Sequence, residues 1–306
     1  MNQQFLDEAN LKLITTEATG DSLFTTQQLL TKQIIFEDVP LISYLLPARN
    51  FVAQTHCANC FKKNVSSSCP TCDLFYCSEG CQQAHYLAHW ALCQGRNSKQ
   101  IPRIATMHSK TEIMSNYSIC EVISQILAKI VIFQLKGNDL EAAIQLALGP
   151  YKKILNTQNL TCNFDVKKAF KTAKLFFLQS VKLLDFAEDL TGLVNEMLTF
   201  EFFKFLVSII ALNNSSVIIG DELVGIAVYN VASKLNHSCD PNVFFSWGEN
   251  RVVEIVAERD ICQNEELVVS YIQECKTVQE RQRELLEGWG FVCQCKKCIS
   301  QVSEKQ

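Results

Sequence analysis

Between His56 and Gln94 the sequence reads Cys57-x2-Cys60, Cys69-x2-Cys72, Cys77-x3-Cys81 and His89-x3-Cys93, four metal-ligand pairs in succession. Zinc takes four nitrogen or sulfur ligands tetrahedrally, and a gap of two or three residues lets both members of a pair reach one ion from a tight turn or a single turn of helix. Eight ligands therefore predict two ions, although spacing alone leaves open which pairs share one. Large apolar side chains here, among them Phe61, Phe75, Tyr76 and Trp90, are too few for a core of its own, so metal binding must supply folding free energy. His85, one helical turn before His89, reads as a packing or surface residue rather than a ligand.

A second cysteine group lies near the C-terminus, where Phe291-Val292-Cys293-Gln294-Cys295-Lys296-Lys297-Cys298 offers three thiolates without a local fourth. Cys239, in the polar run Asn236-His237-Ser238-Cys239-Asp240-Pro241-Asn242, is the natural completion, predicting a third zinc and bringing Asn236 and His237 beside Phe291. A polar run next to strands is costly unless its groups are hydrogen-bonded to each other or to a ligand. The 15 cysteines among 306 residues fit a reducing compartment better as metal ligands than as disulfides.

The polar N-terminus, MNQQFLDEAN, carries no secretory signal, and no apolar run approaches the roughly 18 residues of a membrane span. An intracellular address, cytoplasm and/or nucleus, is expected. A net charge of -4 disfavours direct nucleic-acid binding, since phosphate must be neutralised by cations.

Strand patterns fall at Lys12–Thr16, Leu23–Thr26 and Gln33–Ile42, the last interrupted by Pro40. Beyond the cysteine-rich segment the period becomes helical: Ser118-x-x-Glu121 and Asn138-x-x-Glu141 mark helix starts, and Lys167–Leu184 and Leu190–Leu212 continue the pattern. Strand character returns at Val243–Phe245, Val252–Val256 and Leu267–Ile272, ending beside Tyr271. The class expected is α+β.

The order of ligand pairs, with the step Tyr76-Cys77-Ser78-Glu79-Gly80-Cys81 before His89-x3-Cys93, resembles the MYND zinc finger. The Asn-His-Ser-Cys run and the Phe-x-Cys-x-Cys segment resemble the SET family of S-adenosylmethionine-dependent lysine methyltransferases, and together they are similar to its SET and MYND subfamily. The resemblance runs from about residue 10 to 300. It implies a split SET β-fold (1–56 and 213–280) interrupted by a MYND finger (57–93) and a helical insert (94–212), and closed by a post-SET zinc segment and tail (281–306). It also implies interleaved ligation, with Cys57, Cys60, Cys77 and Cys81 on one zinc and Cys69, Cys72, His89 and Cys93 on the other.

Carried over by position, the resemblance makes Gly20, Asn214, Asn236, His237, Tyr271 and Phe291 cofactor-contacting residues, with Tyr271 also the catalytic tyrosine. The activity implied is methyl transfer from S-adenosylmethionine to a lysine of a histone or non-histone protein. The alternative is a weak or inactive SET scaffold whose MYND finger docks partner peptides. Three positions depart from the family: Gly20-Asp21-Ser22 stands for Gly-x-Gly, Ser216 for a Phe, and Trp289 for a Tyr. Asp21 is expected to set a carboxylate near that of the cofactor if it faces inward. No C-terminal helical repeats follow Cys298, so a more open substrate cleft is expected.

Overall fold

In the computed structural model, residues 3–16, 20–46, 55–72, 74–93, 113–149, 165–182, 187–273 and 276–303 are described. Helix α1 (Gln3–Glu8) leads into a hairpin of β1 (Leu11–Thr16) and β2 (Gly20–Thr25). The run expected as one strand over Gln33–Ile42 is two, β3 (Ile34–Asp38) and β4 (Ile42–Leu45), because Pro40 has no N–H to contribute to a ladder. The cysteine-rich segment contributes β5 (Ser67–Ser68), β6 (Phe75–Tyr76) and helix α2 (Glu79–His89), whose N-cap Ser78 accepts the Cys81 N–H.

Five helices follow: α3 (Ile113–Leu135), α4 (Leu140–Leu148), α5 (Val166–Val181), α6 (Ala187–Met197) and α7 (Phe200–Asn213). Residues 94–112 of the expected insert, and Leu184 as a helix end, lie outside the described residues. Three expectations are corrected here. Ser118 is inside α3 rather than at its start, and the cap of α4 is Asp139, whose carboxylate accepts the Ala142 N–H at 2.8 Å, rather than Asn138. The single helix expected over Leu190–Leu212 is broken at Leu198-Thr199, where the Thr199 hydroxyl caps α7 by accepting the Phe202 N–H.

The remaining chain forms β7 (Asn214–Ile219), β8 (Glu222–Val228), β9 (Asn236–His237), β10 (Val243–Trp247), β11 (Val253–Ala257), β12 (Val268–Val269), and helices α8 (Val278–Trp289) and α9 (Lys296–Ser303). Only Val268 and Val269 of the expected Leu267–Ile272 strand are laddered, in parallel with Asn236 and His237. Helix α8 escaped the sequence reading although Thr277-x-x-Glu280 forms a full capping box at its start.

Two small sheets, ordered β4-β8-β7 and β10-β11-β3, enclose one apolar core that includes Leu23, Val224, Leu235 and Ile255. Phe61, from the cysteine-rich segment, is fully buried in that same core. The helices build a second core around Ile123, Leu127, Phe177 and Phe203, reached from the sheets by Ile42 and Val228 and from the end of the cysteine-rich segment by Leu92. Trp90 ties that segment to α3 by donating its indole N–H to the Ala128 carbonyl at 3.1 Å. Among the described residues, no helix is long and apolar enough to cross a membrane.

Candidate active site and metal clusters

Twelve predicted ligands come together in three groups: Cys57, Cys60, Cys77, Cys81; Cys69, Cys72, His89, Cys93; and Cys239, Cys293, Cys295, Cys298. Within each group all ligand atoms lie within 4.8 Å of one another, with sulfur–sulfur separations such as 3.6 Å for Cys60–Cys77, 3.4 Å for Cys69–Cys93 and 3.5 Å for Cys239–Cys298. A tetrahedron with zinc–sulfur bonds of about 2.3 Å has edges of about 3.8 Å, so these groups fit zinc, whereas a disulfide needs about 2.05 Å. The thiols also cannot all ionise without a cation: hydrogen bonding from Cys60 pulls Cys57 down to about 4, while Cys60 itself is pushed up. His85 stays outside the second group. Its Nδ1 pairs with the Tyr76 hydroxyl at 3.1 Å and its ring stacks on His89.

Helix α8 builds the third group. Gln282 clamps Cys293 through two hydrogen bonds, accepting its N–H at 2.8 Å and donating to its carbonyl at 2.7 Å. Arg281, 3% exposed, extends a guanidinium N–H toward Cys298 Sγ at 3.6 Å and donates to the Gln301 side chain and the Lys276 carbonyl. A buried cation beside this group would offset the charge of its sulfurs as metal-bound thiolates.

The polar run satisfies itself as burial requires. Asn242, 1% exposed, donates to Glu265 and to the Glu266 carbonyl and accepts the Val268 N–H at 2.8 Å. Ser238 N–H bonds the Val269 carbonyl, extending the β9–β12 pairing. Asn236 Nδ2 reaches Ser22 Oγ at 2.7 Å, Glu266 Oε1 at 3.0 Å and the Asp21 carbonyl at 3.3 Å. The Gly20-Asp21-Ser22 edge therefore lies against Asn236, with Gly20 at φ +70°, where glycine is favoured. The Asp21 carboxylate faces Lys234 Nζ at 3.2 Å and accepts from the Thr15 hydroxyl at 2.7 Å, so its charge is neutralised within the protein.

Tyr271 is held at both ends by the same run. Its N–H donates to His237 Nδ1 at 3.0 Å and its hydroxyl donates to the Leu235 carbonyl at 2.8 Å. Burial, with the Glu266 charge adding to it, pushes the hydroxyl above its ordinary range, so it remains an O–H. Burial and the Arg281 charge pull His237 down to about 4, leaving a neutral ring. That ring lies 5.3 Å from Tyr271 and 6.0 Å from Phe291, centroid to centroid.

Tyr271 borders a cavity of about 340 Å³ with Asn214, Ser216, Phe245, Trp247 and Trp289 in its wall. Trp289 packs on Tyr271 at 5.3 Å, and Trp247 is fixed by its indole N–H on the Tyr229 hydroxyl. Asn214 lines this cavity while its amide donates to the carbonyls of Ile210 and Ala211, ending α7. Gly20, Asn236, His237 and Phe291 lie outside its lining. Sequence reasoning missed Phe245, Trp247, Lys234, Glu266, Arg281 and the Leu235 carbonyl. The Thr277-x-x-Glu280 signal would have placed Arg281 on a helix, but a backbone carbonyl has no sequence signature.

The family model for the SET domain matches residues 20–272. The histone-lysine N-methyltransferase SET5 of Scheffersomyces stipitis is 24% identical over 96% of this chain and 65% of its own length. The histone-lysine N-methyltransferase ASHR1 of Arabidopsis thaliana is 25% identical over 97% of this chain and 56% of its own. A SET and MYND domain-containing protein of Dictyostelium discoideum is 33% identical over 27% of this chain and 24% of its own. The chain thus spans well under two thirds of ASHR1 and just under two thirds of SET5.

Proposed function

The chain belongs to the SET domain family, and from that membership we propose that it transfers the methyl group of S-adenosylmethionine to the side-chain amine of lysine in a histone or non-histone protein. The observation that carries the proposal is Tyr271, its hydroxyl fixed on Leu235 at the wall of a cavity of about 340 Å³ lined by Phe245, Trp247 and Trp289.

Residues near Tyr271 fit the cofactor. A β-carbon at Gly20 would meet nothing within 4 Å, Asn236 and Glu266 are hydrogen-bonded to each other against the neighbouring Asp21-Ser22 edge, and Phe291 offers a ring for stacking on adenine. With Asn214, these residues and the backbone at His237 form the cofactor site in this reading. When bound, S-adenosylmethionine supplies an electrophilic methyl group on sulfur.

The chain's own part is to present a neutral amine in line with that methyl. A free lysine amine titrates near pH 10.4, and a low-dielectric channel disfavours its charged form. Phe245, Trp247 and Trp289 exclude water and desolvate the amine, while Ser216, in place of a bulkier aromatic, widens one wall. Tyr271 orients it through a hydroxyl that neither ionises nor rotates freely. With S-adenosylmethionine bound, the amine held by Tyr271 would take its methyl group, the sulfur would keep the electron pair of the bond it loses, and the amine's proton would leave to solvent.

Residues 57–93 as a MYND finger that docks a peptide, the SET halves at 1–56 and 213–280, the insert at 94–212 and the post-SET segment at 281–306 belong to the same proposal, with three zincs and an address in cytoplasm and/or nucleus. Lys63 pairs with Glu222 at 3.5 Å, which suits a peptide surface better than a phosphate-binding one. The test is calorimetric titration of the three-zinc protein with S-adenosylmethionine, followed by labelled-methyl transfer to core histones and to a cell extract. One-site binding and label on lysine are expected, with Tyr271→Phe lowering transfer by about 10²-fold and little changing affinity. A folded three-zinc protein that binds no cofactor overturns the proposal.

A further inference from the structure

His237 has both ring nitrogens engaged inside the protein. Nδ1 accepts the Tyr271 N–H at 3.0 Å, and because a backbone amide can only donate, that nitrogen carries no proton. An imidazole keeps a proton on at least one nitrogen, so with Nδ1 accepting it is on Nε2, which lies 3.3 Å from Cys239 Sγ. Cys239 belongs to the third thiol group, 3.5 Å from Cys298 and 3.9 Å from Cys293. An unbroken series of contacts thus runs from four thiols through one imidazole to the amide of Tyr271, whose hydroxyl returns to the same run at Leu235.

We infer that His237 is a positioning residue, coupling the metal held by Cys239, Cys293, Cys295 and Cys298 to the orientation of Tyr271, and that its side chain is not a cofactor ligand. The role of Tyr271 in transfer rests on the function proposed above; the coupling itself does not. A metal-bound thiolate is a stronger hydrogen-bond acceptor than a thiol, so a metal at this group fixes the Nε2–H tautomer and thereby keeps Nδ1 open to the Tyr271 amide. The arrangement is the usual outer-shell pattern reversed: here the histidine is outside the metal shell, held by a ligand. Tertiary pairing reinforces it, since the β9–β12 ladder pairs His237 with Val269 and the Ser238 N–H donates to the Val269 carbonyl. Arg281 faces the same group through Cys298 Sγ.

The experiment uses the full chain, zinc-loaded, with ¹⁵N in its five histidines and seven tyrosines. The expected spectrum has His237 protonated at Nε2 and bare at Nδ1 at neutral pH; exchange of zinc for ¹¹³Cd²⁺ moves that Nε2–H signal and the Tyr271 amide signal together. His237→Phe keeps a ring but neither contact and should speed Tyr271 amide exchange by about tenfold, the loss of one hydrogen bond. His237→Asn, whose side-chain oxygen can occupy the Nδ1 position, should restore most of the protection. Zinc content of three per chain verifies that each variant is folded. A proton on Nδ1 in the native protein, or signals of His237 and Tyr271 that ignore the metal exchange, would overturn the inference without any variant. None of these readouts needs cofactor or substrate, so the expected spectra from a protein that transfers no methyl group would count against the proposed function and leave the coupling standing.

Discussion

Phe61 lies against Gly225 so closely that a β-carbon on the glycine would sit 2.4 Å from the Phe61 ring and 2.7 Å from the Tyr44 carbonyl oxygen. Phe61 itself holds φ +67°, a left-handed backbone that a bulky side chain seldom adopts, so the ring is committed to this place in the sheet core. Close approach, not backbone freedom, requires glycine at 225. Gly225→Ala should cost about 1–3 kcal/mol, the usual effect of overpacking. Urea unfolding followed by tryptophan fluorescence measures it, and an unchanged midpoint would mean that Phe61 moves aside freely.

The two metal groups of the cysteine-rich segment interleave along the chain, and stoichiometry tests the interleaving. Cys57→Ser with Cys77→Ser strikes one group only, so two zincs per chain should remain by elemental analysis. Cys57→Ser with Cys69→Ser strikes both, leaving one. Consecutive ligation would reverse the two results, because Cys57 and Cys69 would then share an ion.

Lys234 and Asp21 form an ion pair with side chains 3% and 12% exposed. Removing one partner leaves the other charge poorly solvated, so Lys234→Met should destabilise by about 3 kcal/mol. Adding Asp21→Asn should return much of that loss. A double variant as unstable as the single one would show that Lys234 acts through packing of its stem.

Lys129 gives the protein a defined response to alkali. Its ammonium donates to the Leu41 carbonyl at 2.7 Å, and burial, with Arg251 adding to it, pulls it from 10.5 down to about 8. Between those values the unfolded chain holds the extra proton, so this group makes stability rise with pH, while below about 8 the burial cost is felt in full. Relative to Lys129→Met, the wild type should gain up to about 3 kcal/mol on going from the lower to the upper end of that window. Denaturation midpoints of both proteins across the window check the slope; parallel curves would mean that the amine titrates normally.

Much of this site was legible before folding was considered. Thiol and imidazole chemistry marks a candidate ligand wherever it stands, and short spacing can bring two ligands to one ion by local geometry alone, so all twelve members of the three groups could be named. The helical insert was readable from its 3.6-residue period, but one start was displaced because Asp139 caps in place of its neighbour Asn138, and the break at Thr199 was hidden by the apolar pattern that runs on through Leu198 and Phe200.

By itself, then, the sequence determined which residues carry metal-binding and aromatic chemistry and roughly where strands give way to helices, because those properties belong to side chains and local periodicity. Only the tertiary structure decided that Asp21 meets Lys234, that Tyr271 rests on the Leu235 carbonyl, and that His237 spends both nitrogens on Cys239 and Tyr271. Asp21 and Lys234 are distant in the chain, the Leu235 carbonyl and the Tyr271 amide belong to the backbone, and the His237–Cys239 contact, though local, depends like the others on distance and angle that no spacing rule encodes.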